Sequence, residues 1–402
     1  MAQSQRTEAT EMDRRTLLKV GGMAAFGLGV SGCSTRSALL PASRPRVSLP
    51  TVKASWERVI RTTVGLRPFR PTGFRLQGTK LDDRLLIHNY GHGGAGHSLS
   101  WGCGAVVADL ALAQEGRRAA VVGCGIVGLA SARQLQRRGF EITIYTKTIP
   151  PDTTSNMALA GFTPTSGLVD RDRRTPVWDR QFRRVFDDSS RELQLLVGRR
   201  YGVSWLDTYS TTDRRPADRP DDADGALLPA SLRAPRDVLG PGEHPFPLRY
   251  AIRQLSLRIE PSIYLEAMVR DVLGFGGRIA IRSFDEPRDL LTLSEPVIVN
   301  CTGLGARTLF GDDELTPAKG QLTFLAPQNE VNYRTQGGLT PQPGLGLHMM
   351  PRADGIALGG TSERGVWSLQ PDEEARRRIV EGHIALYGAM RPARSASSPL
   401  TT

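Results

Sequence analysis

Apolar residues along this chain switch between two periods. Short apolar runs at Arg84–Tyr90, residues 117–125 and Glu141–Thr146 read as buried strands, and between them residues 105–114 and 128–138 carry apolar positions at helical spacing. Gly139 closes the second helix, and the stretch 91–104 between the first strand and first helix reads as a glycine loop. Strand, helix, strand, helix, strand predicts a parallel sheet wound right-handed. Beyond residue 150 the pattern loosens. Residues 264–277 and 372–390 read as helices, 297–306 as a strand running into a glycine turn, and 355–361 as strand-like. Residues 207–243, rich in Asp, Arg and Pro, read as an exposed excursion or a loop-rich part of a cap, and 391–402 as a disordered tail.

The N-terminus follows another logic. Arg14 and Arg15 precede an apolar run from Val20 to Val30 and a small-residue approach to Cys33. That order matches an export signal, and the run is shorter than the roughly 20 apolar residues needed to span a bilayer. Arg14-Arg15 with Leu17-Leu18-Lys19 resembles a twin-arginine signal, and Val30-Ser31-Gly32-Cys33 resembles a bacterial lipobox. The expectation is a protein exported by a bacterial cell, periplasmic or tethered to a membrane through a lipidated Cys33. Residues 34–55 read as a Ser/Pro/Arg linker.

Composition changes the picture little. The 402 residues, 39% apolar with 43 glycines, suffice for two domains or one large α/β domain with a cap. The net charge of +11 comes from scattered arginines interleaved with 41 acids, which argues against nucleic acid as a partner. Cys33, Cys103, Cys124 and Cys301 have no paired spacing, so neither a zinc site nor a disulfide framework is indicated.

The candidate chemistry begins at Gly123, Gly125 and Gly128, a G-x-G-x-x-G between strand and helix. Gly123 permits the tight turn, and Gly125 lets the backbone, with Ile126 and Val127, approach a pyrophosphate at the positive helix N-terminus. Gly128 lets helix and strand pack closely. The acid that usually binds ribose at the end of the second strand is missing. Tyr145-Thr146-Lys147 stands there, which argues against NAD and leaves FAD open.

Several stretches together resemble the D-amino-acid oxidase family of FAD-dependent oxidoreductases. VVGCGIVGLASARQL resembles its opening strand and helix; DTTSNMALAGFTP, with Thr153, Thr154, Ala160 and Gly161, its flavin-touching segment; and VIVNCTGLGA, with Thr302 and Gly303, its turn near the cofactor. AKGQLTFL is similar to its R/K-G-Q strand. GLRPFRP (residues 65–71) and HNYGHGGAGHSLSWGCG (residues 88–104) resemble two motifs that close other members of the family. Here they come first, so the resemblance implies a circular permutation. It implies residues 56–114 holding the clamp motif and the last strand and helix of the FAD domain. Residues 115–390 would then form the FAD domain with a cap interleaved at about 190–260 and 325–390. The implied fold is α/β: a Rossmann-like parallel-sheet FAD domain plus a second α+β substrate domain with a mixed or antiparallel sheet. The end near Met390 is expected close to residue 56.

The resemblance also assigns roles. It implies oxidation of D-amino acids to 2-oxo acids, ammonia and hydrogen peroxide, with oxygen as the electron acceptor. Arg67 matches the guanidinium that grips the substrate α-carboxylate, a planar fork suited to that group. Gly94 matches the glycine whose carbonyl accepts from the substrate amine. Gly93, Gly94, Ala95 and Gly96 would turn amides to the flavin ring, and Ser98 a hydroxyl to the cofactor. Arg70 is expected in a structural ion pair. His88, His92 and His97 read alternatively as a metal cluster, but no acid or Cys completes a ligand set, so no metal is expected. Two tyrosines of the family are replaced, one by His348 and the other by Ser362. His348, with Arg352 or Arg364 nearby, would favour acidic or polar D-amino acids. A flavin-dependent dehydrogenase of amino or imino acids that does not use oxygen, and a flavin-holding lipoprotein with a degenerate site, remain as alternatives.

Overall fold

The computed structural model describes residues 47–159, 161–216, 227–228, 235–339 and 345–391. The export signal with Cys33, most of the linker, Ala160, part of the 207–243 excursion and the tail lie outside the described residues. Among the described residues, two sheets and six α-helices, numbered along the chain, position everything that follows.

The first sheet has the order β2 (Arg75–Leu81), β3 (Arg84–Tyr90), β10 (Val297–Asn300), β4 (Arg118–Val122), β5 (Glu141–Thr146), β9 (Arg278–Ile281). All neighbours are parallel except β2 and β3. Its central strands are apolar on both faces, as a parallel sheet covered on both sides requires. Ile87, Val121 and Val299 face α1 (Gly96–Ala111) and α2 (Ile126–Gln136), while Leu86, Ala120 and Ile298 pack on Leu290, Leu293 and Leu309. The chain runs β3, α1, β4 within this sheet, with β10 inserted between the two strands.

Helix α1 corrects the expectation of a glycine loop over 91–104. The helix begins at Gly96, nine residues ahead of the expected 105, and the loop is confined to residues 91–95. Glycine costs a helix about 1 kcal/mol each relative to alanine. Here packing offsets that cost. A Cβ on Gly102 would lie 2.0 Å from the carbonyl of Val185 in α3 (Pro176–Leu195), and one on Gly104 would lie 2.9 Å from that of Ala130 in α2.

The second sheet has the order β1 (Val59–Phe69), β11 (Thr316–Leu325), β14 (Gly355–Thr361), β13 (Leu345–Arg352), β12 (Tyr333–Gln336), β6 (Val203–Thr212), β8 (Tyr250–Ile259), β7 (Arg236–Leu239), with β15 (Glu363–Arg364) beside β11. It is mixed, because β12 and β6 run parallel and the other pairs antiparallel. Beyond the expected 190–260 and 325–390 it therefore takes in β1 and nearly all of β11. Residues 207–212, expected in an exposed excursion, are the second half of β6.

Period-two alternation gives this sheet two unlike faces. Leu347, Met349, Tyr333 and Tyr209 pack on α6 (Glu373–Gly388) through Ile379, Leu386 and Tyr387. The opposite face carries His348, Gln336 and Arg334. The remaining helices, α4 (Pro261–Gly274) and α5 (Gly305–Phe310), belong to the first sheet's side; α4 packs against α2 through Tyr264, Leu265 and Met268. Val52 shares an apolar cluster with Met390, and Arg376 lies over the Trp56 ring, so the two ends of the described chain meet as expected.

Candidate active site

The polar face of the second sheet and the carboxyl ends of the first sheet's parallel strands enclose a cavity of about 2070 Å³. The carboxyl end of an open parallel sheet is where such folds bind ligands. This volume exceeds the roughly 300–1,000 Å³ of a drug-sized site, so it has room for a long ligand and a small one together.

The nucleotide end is built from backbone. Gly123, at φ +114°, turns the chain from β4 toward α2, and a Cβ there would lie 2.5 Å from the Cys301 carbonyl. Gly128 stands under the turn, where a Cβ would lie 2.0 Å from the Gly123 carbonyl, so its part is packing and it does not line the cavity. Gly125 caps α2 without a side chain. Ser155, which sequence reasoning did not single out, accepts from the Ile126 amide at 3.0 Å. Ile126, Val127, Thr153, Thr154, Gly161, Thr302 and Gly303 all line the cavity. Thr302 is fixed by hydrogen bonds to Asn300 Oδ1 from its hydroxyl (2.7 Å) and its amide (3.2 Å). Where the ribose acid is missing, Lys147 and Arg282 line the wall. These features fit FAD: a helix N-terminus bared by glycines for a pyrophosphate, opening into a long polar channel.

The glycine loop enters at the centre. Gly93 (φ +52°) is pressed against residue 167, whose carbonyl would lie 1.7 Å from a Cβ. Gly94 lies against Ser166, and both glycines and Gly96 line the cavity. Two expectations are corrected here. The amides of Gly93, Gly94 and Ala95 are already given to the carbonyls of Pro68, Ser166 and His92 and so are not free to donate to a ring system. Ala95 and Ser98 are buried behind the wall, where the Ser98 hydroxyl accepts from the Thr163 amide at 2.8 Å and braces α1 to the segment after Gly161.

In the same cavity wall Arg67 crosses the sheet face. Its guanidinium lies over Gly320 on the neighbouring strand, whose missing side chain leaves the room, and reaches β14, donating to the Thr361 carbonyl (3.1 Å) and to Ser362 Oγ (3.3 Å). No carboxylate among the described residues pairs with it, and burial pulls its pKa down. Arg70, by contrast, is held by Asp312 and Glu314 at 3.0 and 2.7 Å, the structural pair expected. His348, half-buried, faces the cavity from β13. Its Nδ1 lies 2.9 Å from the Gly346 carbonyl, so Nδ1 carries the proton and Nε2 keeps a free lone pair. Burial and the charges of Arg334 and Arg67 hold its pKa near 3 and the ring neutral.

Arg352 and Arg364 do not serve the site as expected. Arg352 is clamped by both oxygens of Asp354 and by the Ala158 carbonyl, and Arg364 by Asp170 over the Phe69 ring. A cation that does line the cavity beside His348 is Arg334, which sequence reasoning missed because VNYRTQGG has no pattern that marks a strand.

The three histidines near the glycine loop are separate. His88 meets Asn300 (3.2 Å), His92 meets Cys103 (3.2 Å), and among the described residues no group of His, Cys, Asp and Glu could hold a metal. With His383 they make four buried imidazoles whose pKa burial lowers: to about 4 for His88, His97 and His383, and about 3 for His92. Their folded pKa values lie below the ordinary 6.5, so as pH falls through that value the unfolded chain binds protons that the native state refuses. Stability present above pH 6.5 is lost toward pH 4, by about 1.4 kcal/mol per pH unit for each histidine. The melting temperature should drop steeply between pH 7 and 5; a flat profile would contradict the burial of these rings.

A sequence model described as DAO, FAD dependent oxidoreductase, matches residues 118–398. The D-amino-acid oxidase of Rubrobacter xylanophilus is 29% identical over 282 residues, 69% of this chain and 79% of that protein. Human D-aspartate oxidase is 30% identical over 284 residues, 69% of this chain and 77% of that one. Among solved structures, glycine oxidase from Bacillus cereus aligns with a TM-score of 0.48 at 14% identity, over 68% of this chain and 79% of its own.

Proposed function

The chain belongs to the DAO family of FAD-dependent oxidoreductases, and from that premise we propose that it oxidises D-amino acids. The observation that carries this reading is Arg67, a half-buried guanidinium in the cavity wall, packed over Gly320 and without a carboxylate partner among the described residues. A fork so placed calls for an anion that enters with the substrate, and an α-carboxylate matches it with two parallel hydrogen bonds.

When bound, FAD would supply the two-electron acceptor for the substrate Cα–H, with oxygen as the final acceptor. Residues Gly123, Gly125, Ile126 and Val127 would hold its pyrophosphate, and Thr153, Thr154, Gly161, Thr302 and Gly303 the remainder. The protein's part is positioning. Arg67 fixes the carboxylate plane, and the carbonyl of Gly94 is assigned to the amine. The neutral His348 offers Nε2 as an acceptor to the same amine. The net reaction joins a D-amino acid, water and O2 to give a 2-oxo acid, ammonia and hydrogen peroxide. We infer further that the order of the family's segments is permuted here. In support, residues before the matched region supply β1 to one sheet and β3 and α1 to the other, while Val52 and Met390 meet in one cluster.

The test is the visible spectrum of the purified protein, followed by anaerobic addition of D- and L-amino acids. Bleaching of the flavin by D-isomers only is the expected result, with peroxide formed under air. Bleaching without peroxide would favour a dehydrogenase, and no bleaching by any amino acid would overturn the reading.

A further inference from the structure

Resting on the oxidase reading, we propose that Asp170 is a positioning residue for the carboxylate clamp: it holds a second arginine, Arg364, off the substrate, so that Arg67 alone sets the plane of the α-carboxylate. The sheet register brings the two arginines together. Arg67 on β1 is opposite Ala318 on β11, and Ala318 is opposite Arg364 on β15. Residues directly opposite on neighbouring strands point to the same face, so both side chains rise from one face with only an alanine between them. Their backbones stand two strand spacings apart, about 10 Å. Arg67 already crosses the first of these, since it reaches the Thr361 carbonyl at 3.1 Å and Ser362 Oγ at 3.3 Å, and Ser362 is two residues from Arg364. An anion seated on Arg67 is therefore within the span of the Arg364 side chain.

Asp170 turns that side chain the other way. Its Oδ1 accepts from Arg364 Nη1 at 2.9 Å, and the guanidinium lies over the Phe69 ring at 4.0 Å. Arg67 and Ser362 line the cavity, whereas Arg364 does not, and Asp170 is its one ion-pair partner among the described residues. The aspartate is itself fixed by backbone. Its amide donates to the Pro71 carbonyl at 2.8 Å, and its carbonyl accepts from the Arg173 amide at 3.0 Å. It ends a strap, residues 163–170, that begins where the Thr163 amide meets Ser98 Oγ and passes Gly94, whose amide donates to the Ser166 carbonyl at 3.0 Å. One segment thus braces the glycine loop and draws the second cation aside.

The consequence is geometric. With 56% of the Arg364 side chain and 32% of the Asp170 side chain exposed, the pair does little to hold the fold together. Its effect is on where a charge stands. A planar fork fixes a carboxylate by two parallel hydrogen bonds, and that plane aims the Cα–H that must be lost. A second guanidinium on the same face offers the carboxylate a seat shared between two forks, in which the substrate is held tightly but turned away. Binding of that kind is non-productive: it tightens the apparent affinity and slows the reaction by the same factor.

The test uses the flavin-loaded wild type, Asp170→Asn, Arg364→Gln and the double variant, with a D-amino acid of neutral side chain such as D-alanine, whose only anion is the α-carboxylate. In anaerobic reduction, Asp170→Asn is expected to lower both the limiting rate and the apparent Kd about fivefold, the factor by which losing an exposed ion pair frees Arg364. Arg364→Gln alone should stay within about twofold of the wild type, and the double variant should return to it, because the aspartate has nothing left to restrain. A merely structural pair would give a double variant as slow as Asp170→Asn, and that result, or an unchanged limiting rate in Asp170→Asn, overturns the proposal. A binding arm stands apart from turnover: propionate, titrated against the flavin spectrum, should bind Asp170→Asn about fivefold more tightly than the wild type, and the double variant no more tightly than the wild type. If no amino acid reduces the flavin yet propionate still shows this pattern, the oxidase reading falls and the role of Asp170 stands. If propionate binds the three proteins alike, or none of them, that role falls whatever the activity.

Discussion

Arg67→Leu is expected to lower kcat/KM for D-amino acids by about 10³-fold while leaving flavin in place. Two hydrogen bonds from a guanidinium to a carboxylate are worth about 3–6 kcal/mol together, roughly 10² to 10⁴ in rate over free enzyme and substrate. The groups that Arg67 touches in the protein, the Thr361 carbonyl and the Ser362 hydroxyl, are both neutral. No carboxylate among the described residues compensates its charge, and the ligand-free variant should melt no lower than the wild type, because a half-buried cation without an ion pair adds nothing to the folded state. Arg67→Lys keeps the charge without the fork and should fall between the two. Anaerobic reduction rates and melting curves on the three proteins check this. A loss under tenfold, or a melting temperature that falls with Arg67→Leu, would mean that Arg67 is a structural residue.

The sequence told most about the parts of the site made by backbone. Glycines at 123 and 128 announce a turn because only glycine meets the steric demands there, and the strand at Glu141–Thr146 was legible to the residue because both its faces are covered. Helix α1 was half hidden. Its glycines are a weakness in local terms, and only the proximity of α2 and α3 explains them. The second sheet was the least legible part. Its strands line a polar cavity with one face, so Val203–Thr212 and Tyr333–Gln336 lack the apolar density that marks a buried strand, and Arg334 went unseen with them. Arg352 and Arg364 were plausible from charge alone; whether an arginine is free or already paired is a tertiary fact, decided here by Asp354 and Asp170.

Gly320→Ala should disable the site without unfolding the protein. The added methyl would lie 2.1 Å from Arg67 Nη2, 2.9 Å from its Cζ and 3.1 Å from its Nε. Every atom in the way belongs to the far end of one side chain, so the strand can stay and the guanidinium must leave. Lifting that group by an ångström or more breaks the alignment of two parallel hydrogen bonds, and misplacement on that scale costs about 10²-fold in rate. The variant is expected to bind flavin, melt within a few degrees of the wild type and lose about 10²-fold in kcat/KM. The double variant with Arg67→Leu decides between a lost clamp and a general disturbance of β11. If the alanine acts only by moving the guanidinium, it should add almost nothing once Arg67 is gone, because two changes to one interaction do not sum. If the two losses multiply, Gly320 matters for another reason, and the close approach of Arg67 across β11 is not what sets the clamp.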